Sequence, residues 1–510
     1  MSKNSRVHQN FSKLYESAML DQLMLMSKNV EYLKNELRVA NAKAGRPAEV
    51  PPLTKSVDFL PQDRLERLEN ETRAHKREFE TVHRRISTMR VDRQLRIAPG
   101  YLLGKFRKKQ PVLIDMAPPK NNNESAITSP VENEPYDVVV MCPVYPGGMR
   151  PYGGEFIFKR VRAYAEAGLN VCVLEVNPKR KDEQDHKVAG IRVLRCGLDR
   201  TREFLSKSPH KTIAVHQLER PLWDVIKPFR SDMPITVWIH GFEARHWREL
   251  EGNYSQSDLK KLKKILDDVT EERKGTMSEV LLDPKVKKIF VSNFMKGVTE
   301  KFTGQSAKNV HVIHNQILSS DFPYVPKKPE DRLSILWVRS FGAFNYSNDL
   351  SRDAILELSK RPYFKELQFT IYGDGKLFEE CTDPLKGFTN ISINRKFVPT
   401  EKLRELHAGH GIMLVPSRWD SQGLTCGEAM SAGLVPITNR VAALPEFVDD
   451  TCGYLCWPDD PISLANAIED CYKNPSEYLK KSKKAAKRSQ GQCGKEKTIA
   501  KEIKLIRSQL

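Results

Sequence analysis

The chain is short of long apolar runs. No stretch of about 20 apolar residues occurs in its 510 residues, which excludes a membrane-spanning helix. Its first residues lack the apolar core of a secretory leader, so a cytoplasmic protein is expected. Cys-x-x-Cys is absent. The nine cysteines, at 142, 172, 196, 381, 426, 452, 456, 471 and 493, are scattered, so neither a zinc site nor a disulfide framework is expected. Asp-x-Asp is absent too, and the 12 histidines show no ligand spacing, which leaves no sequence signal for a bound metal. Aromatic residues make up 8% of the chain and do not interleave with its basic segments, so a nucleic-acid platform ranks last among its partners.

What is present supports a large folded core. Hydrophobic residues make up 39% and charged residues 29%, and the length suits about three domains. The net charge of +18 sits at the ends: residues 1–110 carry +10 and residues 476–510 carry +8, so the span between is neutral. In residues 1–110, Met19, Leu23, Met26, Val30, Leu33 and Leu37 form one heptad seam, and Leu65, Leu68, Thr72, His75, Phe79 and Val82 form another. These seams, within residues 11–95, suit either a helical hairpin or a coiled coil with a second copy or a partner helix. Residues 97–109 crowd apolar side chains beside four cations, as in either a basic linker or a short anchor on an anionic membrane surface. Residues 111–135 read as a flexible linker.

From residue 136 strands and helices alternate. Strands are expected at 137–143, 171–176, 191–194, 212–215, 235–239, 288–292 and 310–313. A second series is expected at 334–338, 369–372, 391–393, 411–415 and 435–438. Two Rossmann-like parallel-sheet domains are expected, at 136–325 and 326–510, the second ending in basic helices. Ligand in such a pair lies between the C-terminal ends of the strands.

The loop after strand 411–415 carries most of the chemistry. Asp420 and Glu428 stand eight positions apart, with a glycine turn at Gly423 and a helix start at Leu424-Thr425 between them. Such a helix start aims N–H groups at a phosphate, and the two carboxylates suit sugar hydroxyls. Arg339 follows strand 334–338 into the cleft, His240 follows strand 235–239, and Gly153-Gly154 lies between the first strand and a helix from Glu155 to Glu166.

With these motifs, residues 136–475 resemble retaining glycosyltransferases of family 4, which have the GT-B fold of two Rossmann domains. Asp420 and Glu428 match that family's Glu-x7-Glu pair, and Glu428-Ala429-Met430 with Gly433-Leu434-Val435-Pro436 match the residues that usually come after the pair. Gly153-Gly154 matches its glycine loop, while Tyr372-Gly373-Asp374-Gly375 and His314-Asn315 match two recurrent stretches. The nearest likeness is to bacterial members of the cell-surface polysaccharide type. The resemblance implies that Asp420, His240 and Arg339 act at the transferred sugar and its diphosphate. It also implies that Glu428, Gly423, Leu424, Thr425 and Gly373 hold the donor. Asp420 is shorter by a methylene than the family's Glu, and Asn345 stands where the family has a Lys that faces the diphosphate. Lys396 and Arg418 are candidates to replace that cation.

The implied activity is metal-independent transfer of a sugar, with retention, from a nucleotide-sugar substrate to a glycan or lipid-linked acceptor, without a cofactor. The implied place is the inner face of the cytoplasmic membrane. The alternative is a weakened GT-B scaffold that assembles partners through its coiled coil; Asn345 favours it and the Asp420/Glu428 pair favours the enzyme.

Overall fold

The computed structural model describes the chain at residues 125–126, 135–146 and 154–510. The heptad seams of residues 11–95, the 97–109 segment, the rest of region 1–110 and Gly153 lie outside the described residues.

Two sheets carry the fold. The first contains β1 (Ser125–Ala126), β2 (Tyr136–Cys142), β3 (Val171–Val176), β4 (Gln184–Val188), β5 (Ile191–Cys196), β6 (His210–His216), β7 (Ile235–Ile239), β8 (Val286–Phe290) and β9 (Val310–Val312). Their spatial order is β1-β4-β5-β3-β2-β6-β7-β8-β9. From β5 to β9 every pairing is parallel; β4 pairs antiparallel with β5 and with β1. The second sheet contains β10 (Ser334–Val338), β11 (Gln368–Gly373), β12 (Ile391–Arg395), β13 (Ile412–Leu414), β14 (Val435–Asn439) and β15 (Tyr454–Cys456), in the order β12-β11-β10-β13-β14-β15, parallel throughout.

The expected strands recur within a residue or two. They are legible because a parallel sheet covered on both faces needs continuous apolar runs, and β3 and β7 are buried at every position. Two strands were not expected. β4 reads Gln-Asp-His-Lys-Val, a polar sequence that survives at an antiparallel edge, and β15 has three residues. Ser125 and Ala126, inside the expected linker, pair with Lys187 and His186.

Helices α1 (Glu155–Glu166), α2 (Leu198–Lys207), α3 (Arg220–Ile226), α4 (Gln256–Leu282) and α5 (Asn293–Thr303) cover the first sheet. Phe204, Trp223, Met277 and Val280 fill one face, and Ile157, Val161 and Tyr164 fill the other. The second sheet is covered by α6 (Asn348–Leu358), α7 (Phe378–Thr382), α8 (Thr400–Gly409), α9 (Leu424–Ser431), α10 (Leu444–Phe447), α11 (Pro461–Lys473) and α12 (Pro475–Cys493).

The last helix, α13 (Ile499–Arg507), does not stay with the second sheet. Ile499 and Ile506 join the core of the first, beside α1. Glu502 accepts from Arg160 Nε at 3.1 Å and from the Tyr164 hydroxyl at 2.6 Å, and all three side chains are buried. Gln509 donates to Thr236 at 3.0 Å. The chain therefore passes between the domains twice, at 314–333 and at 494–498.

Candidate active site

The C-terminal ends of both sheets face one cavity of about 330 Å³. Its walls include His240, Gln217, Phe242 and Arg245 from the first domain and Asn345, Tyr346, Asp420 and Leu424 from the second.

Arg339 continues the ladder past β10, its N–H donating to Tyr372 O at 3.1 Å. At the end of β11, Gly373 has φ 154°, and a Cβ there would lie 2.0 Å from the Arg339 carbonyl oxygen, so only glycine fits. The Arg339 guanidinium donates to the Ser417 hydroxyl, lies 3.7 Å from Asp420 Oδ2 and covers the Tyr346 ring at 4.9 Å. Its Nε–H is buried without a partner. A buried cation with an orphan donor beside a cavity is an anion site in waiting.

Asp420 does two jobs. Oδ1 accepts the backbone N–H of Gln422 at 3.1 Å and of Gly423 at 2.6 Å, which builds the turn, while Oδ2 faces Arg339. Gly423, at φ 82°, caps α9, and a Cβ there would meet the Leu444 side chain at 2.6 Å. The turn leaves the N–H groups of Leu424 and Thr425, first in α9, without intrahelical acceptors, and Leu424 lines the cavity.

Glu428 lies one turn further along α9 and does not line the first cavity. It is partly buried, and burial pushes its carboxyl up to about 7; Asp321 and Glu155 add to the rise and Lys159 opposes it. Glu155, Lys159 and Asp321 line a second cavity of about 380 Å³, with Gln316, Thr400 and Glu401. Of the expected pair of carboxylates, Asp420 lines the first cavity, and Glu428 lines neither, feeling the charges of Glu155, Lys159 and Asp321 instead.

On the first domain, His240 Nε2 lies 3.0 Å from His216 Nδ1, and the two rings stack at 5.3 Å. Burial holds both imidazoles well below their ordinary range, so the pair is neutral. Phe156 packs on the His240 ring at 4.7 Å. Glu243, fully buried, accepts the backbone N–H groups of His240 and Gly241 at 2.6 and 3.0 Å and fixes the turn; burial raises its carboxyl. The adjacent loops interlock across the cleft. Trp419 donates to Glu249 at 2.9 Å and carries the Arg245 guanidinium at 4.1 Å, and a Cβ on Gly241 would meet its ring at 2.9 Å. Ser292 donates to Ser421 O at 2.7 Å.

Of the other expected residues, Gly154, at φ 72°, precedes α1, and a Cβ there would lie 2.3 Å from Val144 O. Asn345 lines the cavity, and its side chain and N–H pair with Asn253 across the cleft at 3.4 and 3.0 Å. Arg418 is not a spare cation: Asp349 takes both its terminal nitrogens at 2.7 and 2.8 Å, and Asp459 takes Nε at 2.8 Å. Lys396 is exposed over the Tyr372 ring at 5.8 Å, outside the walls of the first cavity. Gln217, Phe156, Phe242 and Arg245 were not expected. Gln217 follows β6 as His240 follows β7, so the rule that parallel strands end at the ligand reaches it.

Residues 332–474 match the family model described as Glycosyl transferases group 1. Glycogen synthase from Mycobacterium tuberculosis is 28% identical over 198 residues, 38% of this chain and 46% of the relative. The chain therefore spans less than half the length of that curated relative. Sucrose-phosphate synthase from Thermosynechococcus elongatus superposes with a TM-score of 0.57 over 73% of this chain and 98% of its own, at 16% identity. The catalytic domain of starch synthase IV from Arabidopsis thaliana, bound to ADP and acarbose, gives 0.50 over 74% and 99%, at 15% identity. The chain's two parallel-sheet α/β domains are those of a GT-B fold, and its second domain carries the sequence pattern of group 1 glycosyl transferases.

Proposed function

We propose that the chain is a glycosyltransferase that moves a sugar from a nucleotide-sugar to a glycan or lipid-linked acceptor, with retention at the anomeric carbon, in surface polysaccharide synthesis. One observation carries the reading: a buried Arg339 with an unpartnered donor stands beside Asp420, which lines one cavity together with His240 of the opposite domain. The diphosphate lies against Arg339 and the first N–H groups of α9. The transferred sugar occupies the first cavity, its hydroxyls meeting Asp420 Oδ2 and His240. The ribose reaches Glu428, one turn along α9. ADP and acarbose in the starch synthase IV structure support a nucleoside diphosphate and a glycan in such a cleft.

In the transfer the bond from the anomeric carbon to the diphosphate oxygen breaks. The acceptor oxygen bonds to the same face of that carbon, and its proton passes to the departing phosphate. Arg339 and the α9 N–H groups stabilise the charge that develops on the leaving group, so this route uses no metal. The test screens nucleotide-sugars by thermal shift and then assays donor hydrolysis and transfer with wild type and Glu428→Ala. Binding that raises Tm, with product lost in the variant, is expected. Equal product from both proteins, or none from either across the common donors, sinks the reading.

The second reading is a donor-binding scaffold with little turnover. Asn345 in place of a lysine, together with the capture of Arg418 by Asp349 and Asp459, favours it. Donor binding without product would select it.

A further inference from the structure

Under α1 a line of buried polar groups starts at the C-terminal helix and ends at the first cavity. Glu502 on α13 accepts from Arg160 Nε through both oxygens, at 3.1 and 3.2 Å. Arg160 Nη1 donates to Phe156 O at 3.1 Å, one turn back in α1, and Nη2 is buried without a partner. After burial, the Arg160 charge also helps hold both His216 and His240 neutral. His216 Nδ1 meets His240 Nε2 at 3.0 Å, while His216 Nε2 is buried and unpartnered. His240 Nδ1 is therefore the nitrogen of this pair left for a ligand, and His240 lines the first cavity.

A neutral pair joined by one hydrogen bond has two arrangements. In the first, His216 Nδ1–H donates to His240 Nε2. His216 then keeps a lone pair at Nε2, and His240 carries its proton at Nδ1. In the second, His240 Nε2–H donates to His216 Nδ1. His216 then carries a proton at Nε2, and His240 shows the cavity a lone pair. The surroundings separate the two. The second arrangement buries an N–H at His216 Nε2 in the field of a guanidinium whose own Nη2 lacks an acceptor, and positive ends repel strongly in a dry interior. Trp238, opposite His216 in the sheet and 4.7 Å from its ring, adds another buried N–H without a partner. The first arrangement supplies a lone pair to this donor-rich side.

We propose that Arg160 and Glu502 are positioning residues that fix the His216–His240 pair in the first arrangement, so that His240 offers Nδ1–H as a donor to a ligand oxygen in the first cavity. Arg160 supplies the field that orders the protons. Glu502, from the far end of the chain, holds its Nε and balances its charge in the core. Asp420 presents an acceptor from the second domain, so a ligand hydroxyl meets an acceptor on one side of the cleft and a donor on the other. The proposal rests on the proposed function only for naming that ligand a sugar; the proton arrangement belongs to the free protein.

The test reads the two imidazoles of the full chain by nitrogen-15 NMR, where bare and protonated ring nitrogens resonate far apart, with His216→Asn and His240→Asn assigning the signals. Protonation at Nδ1 in both rings is expected. His240 protonated at Nε2 overturns the proposal, whatever the variants do. Arg160→Met combined with Glu502→Gln removes the charge pair and keeps the volume, and there the Nδ1–H share at His240 should fall from about nine-tenths to about half. Arg160→Lys should keep the wild-type share. Arg160→Gln, which leaves Glu502 a donor to accept from, should act like the double variant, so the decision does not hang on one variant folding. An unchanged share in Arg160→Gln or in the double variant overturns the role given to Arg160. So does a fall in Arg160→Lys as large as in Arg160→Gln. The expected protons with no nucleotide-sugar bound would keep this inference and sink the transferase reading.

Discussion

The two domains bring different chemistry to one cleft. The second domain presents charge: Arg339 beside Asp420, and Arg418 between Asp349 and Asp459. The first presents the His216–His240 pair, held neutral by burial, and one cation, Arg245, laid over the Trp419 ring. A ligand that spans them needs an anionic end and an uncharged, hydroxyl-rich end. The difference teaches that the buried cation with an orphan donor and the neutral imidazole pair sit on different domains, so each can be removed separately.

The largest break is Arg339→Ala. Loss of a charge-assisted donor to the leaving diphosphate should lower turnover by about a thousandfold, near 4 kcal/mol, measured with donor in excess. Unchanged turnover would dissolve the comparison. Next is Glu428, whose carboxyl is held up to about 7. The folded chain keeps this proton where the unfolded chain has lost it, so the group's stabilisation is full below about 4.5 and declines as pH rises to about 7. Relative to Glu428→Gln, wild type should lose up to about 3 kcal/mol across that window, read by urea titration at several pH values. On the neutral side, His216→Phe should lower kcat/KM about tenfold by freeing the His240 ring, with His216→Asn restoring most of it. Because the pair is neutral, neither imidazole should titrate between about pH 5 and 8, which histidine NMR checks. The smallest effect is a gain: Asn345→Lys adds a cation to the cavity wall and should raise turnover about fivefold.

The charged half was the legible half. Asp420, Gly423 and the start of α9 sit at fixed offsets in one continuous stretch, and Arg339 directly follows an apolar strand. Local sequence therefore carries their placement. The neutral half depends on contacts between strands: His216 lies opposite Trp238, which puts it beside His240, and nothing in the residues near 240 announces it. Arg418 looked available because its partners are 69 and 41 positions away. Glu428 follows Asp420 in the same stretch, but one turn of α9 carries it out of the walls of the first cavity. Lys396 follows β12 as the strand rule requires, yet its side chain lies on the surface.

Helix α13 bears on the order in which the molecule is made. Arg160 meets Glu502 across 342 positions of sequence, and Ile157, Val161 and Ile289 share a core with Ile499 and Ile506. During synthesis the first sheet emerges early, but its α1 face has no cover until the whole second domain has followed. The nascent first domain must wait with an open apolar flank and an unpaired Arg160, a state that invites chaperones and aggregation. A fragment cut near residue 325 would keep that flank open permanently. The two domains can be told apart by their sheets, but the first completes its folding only after the second has been synthesised.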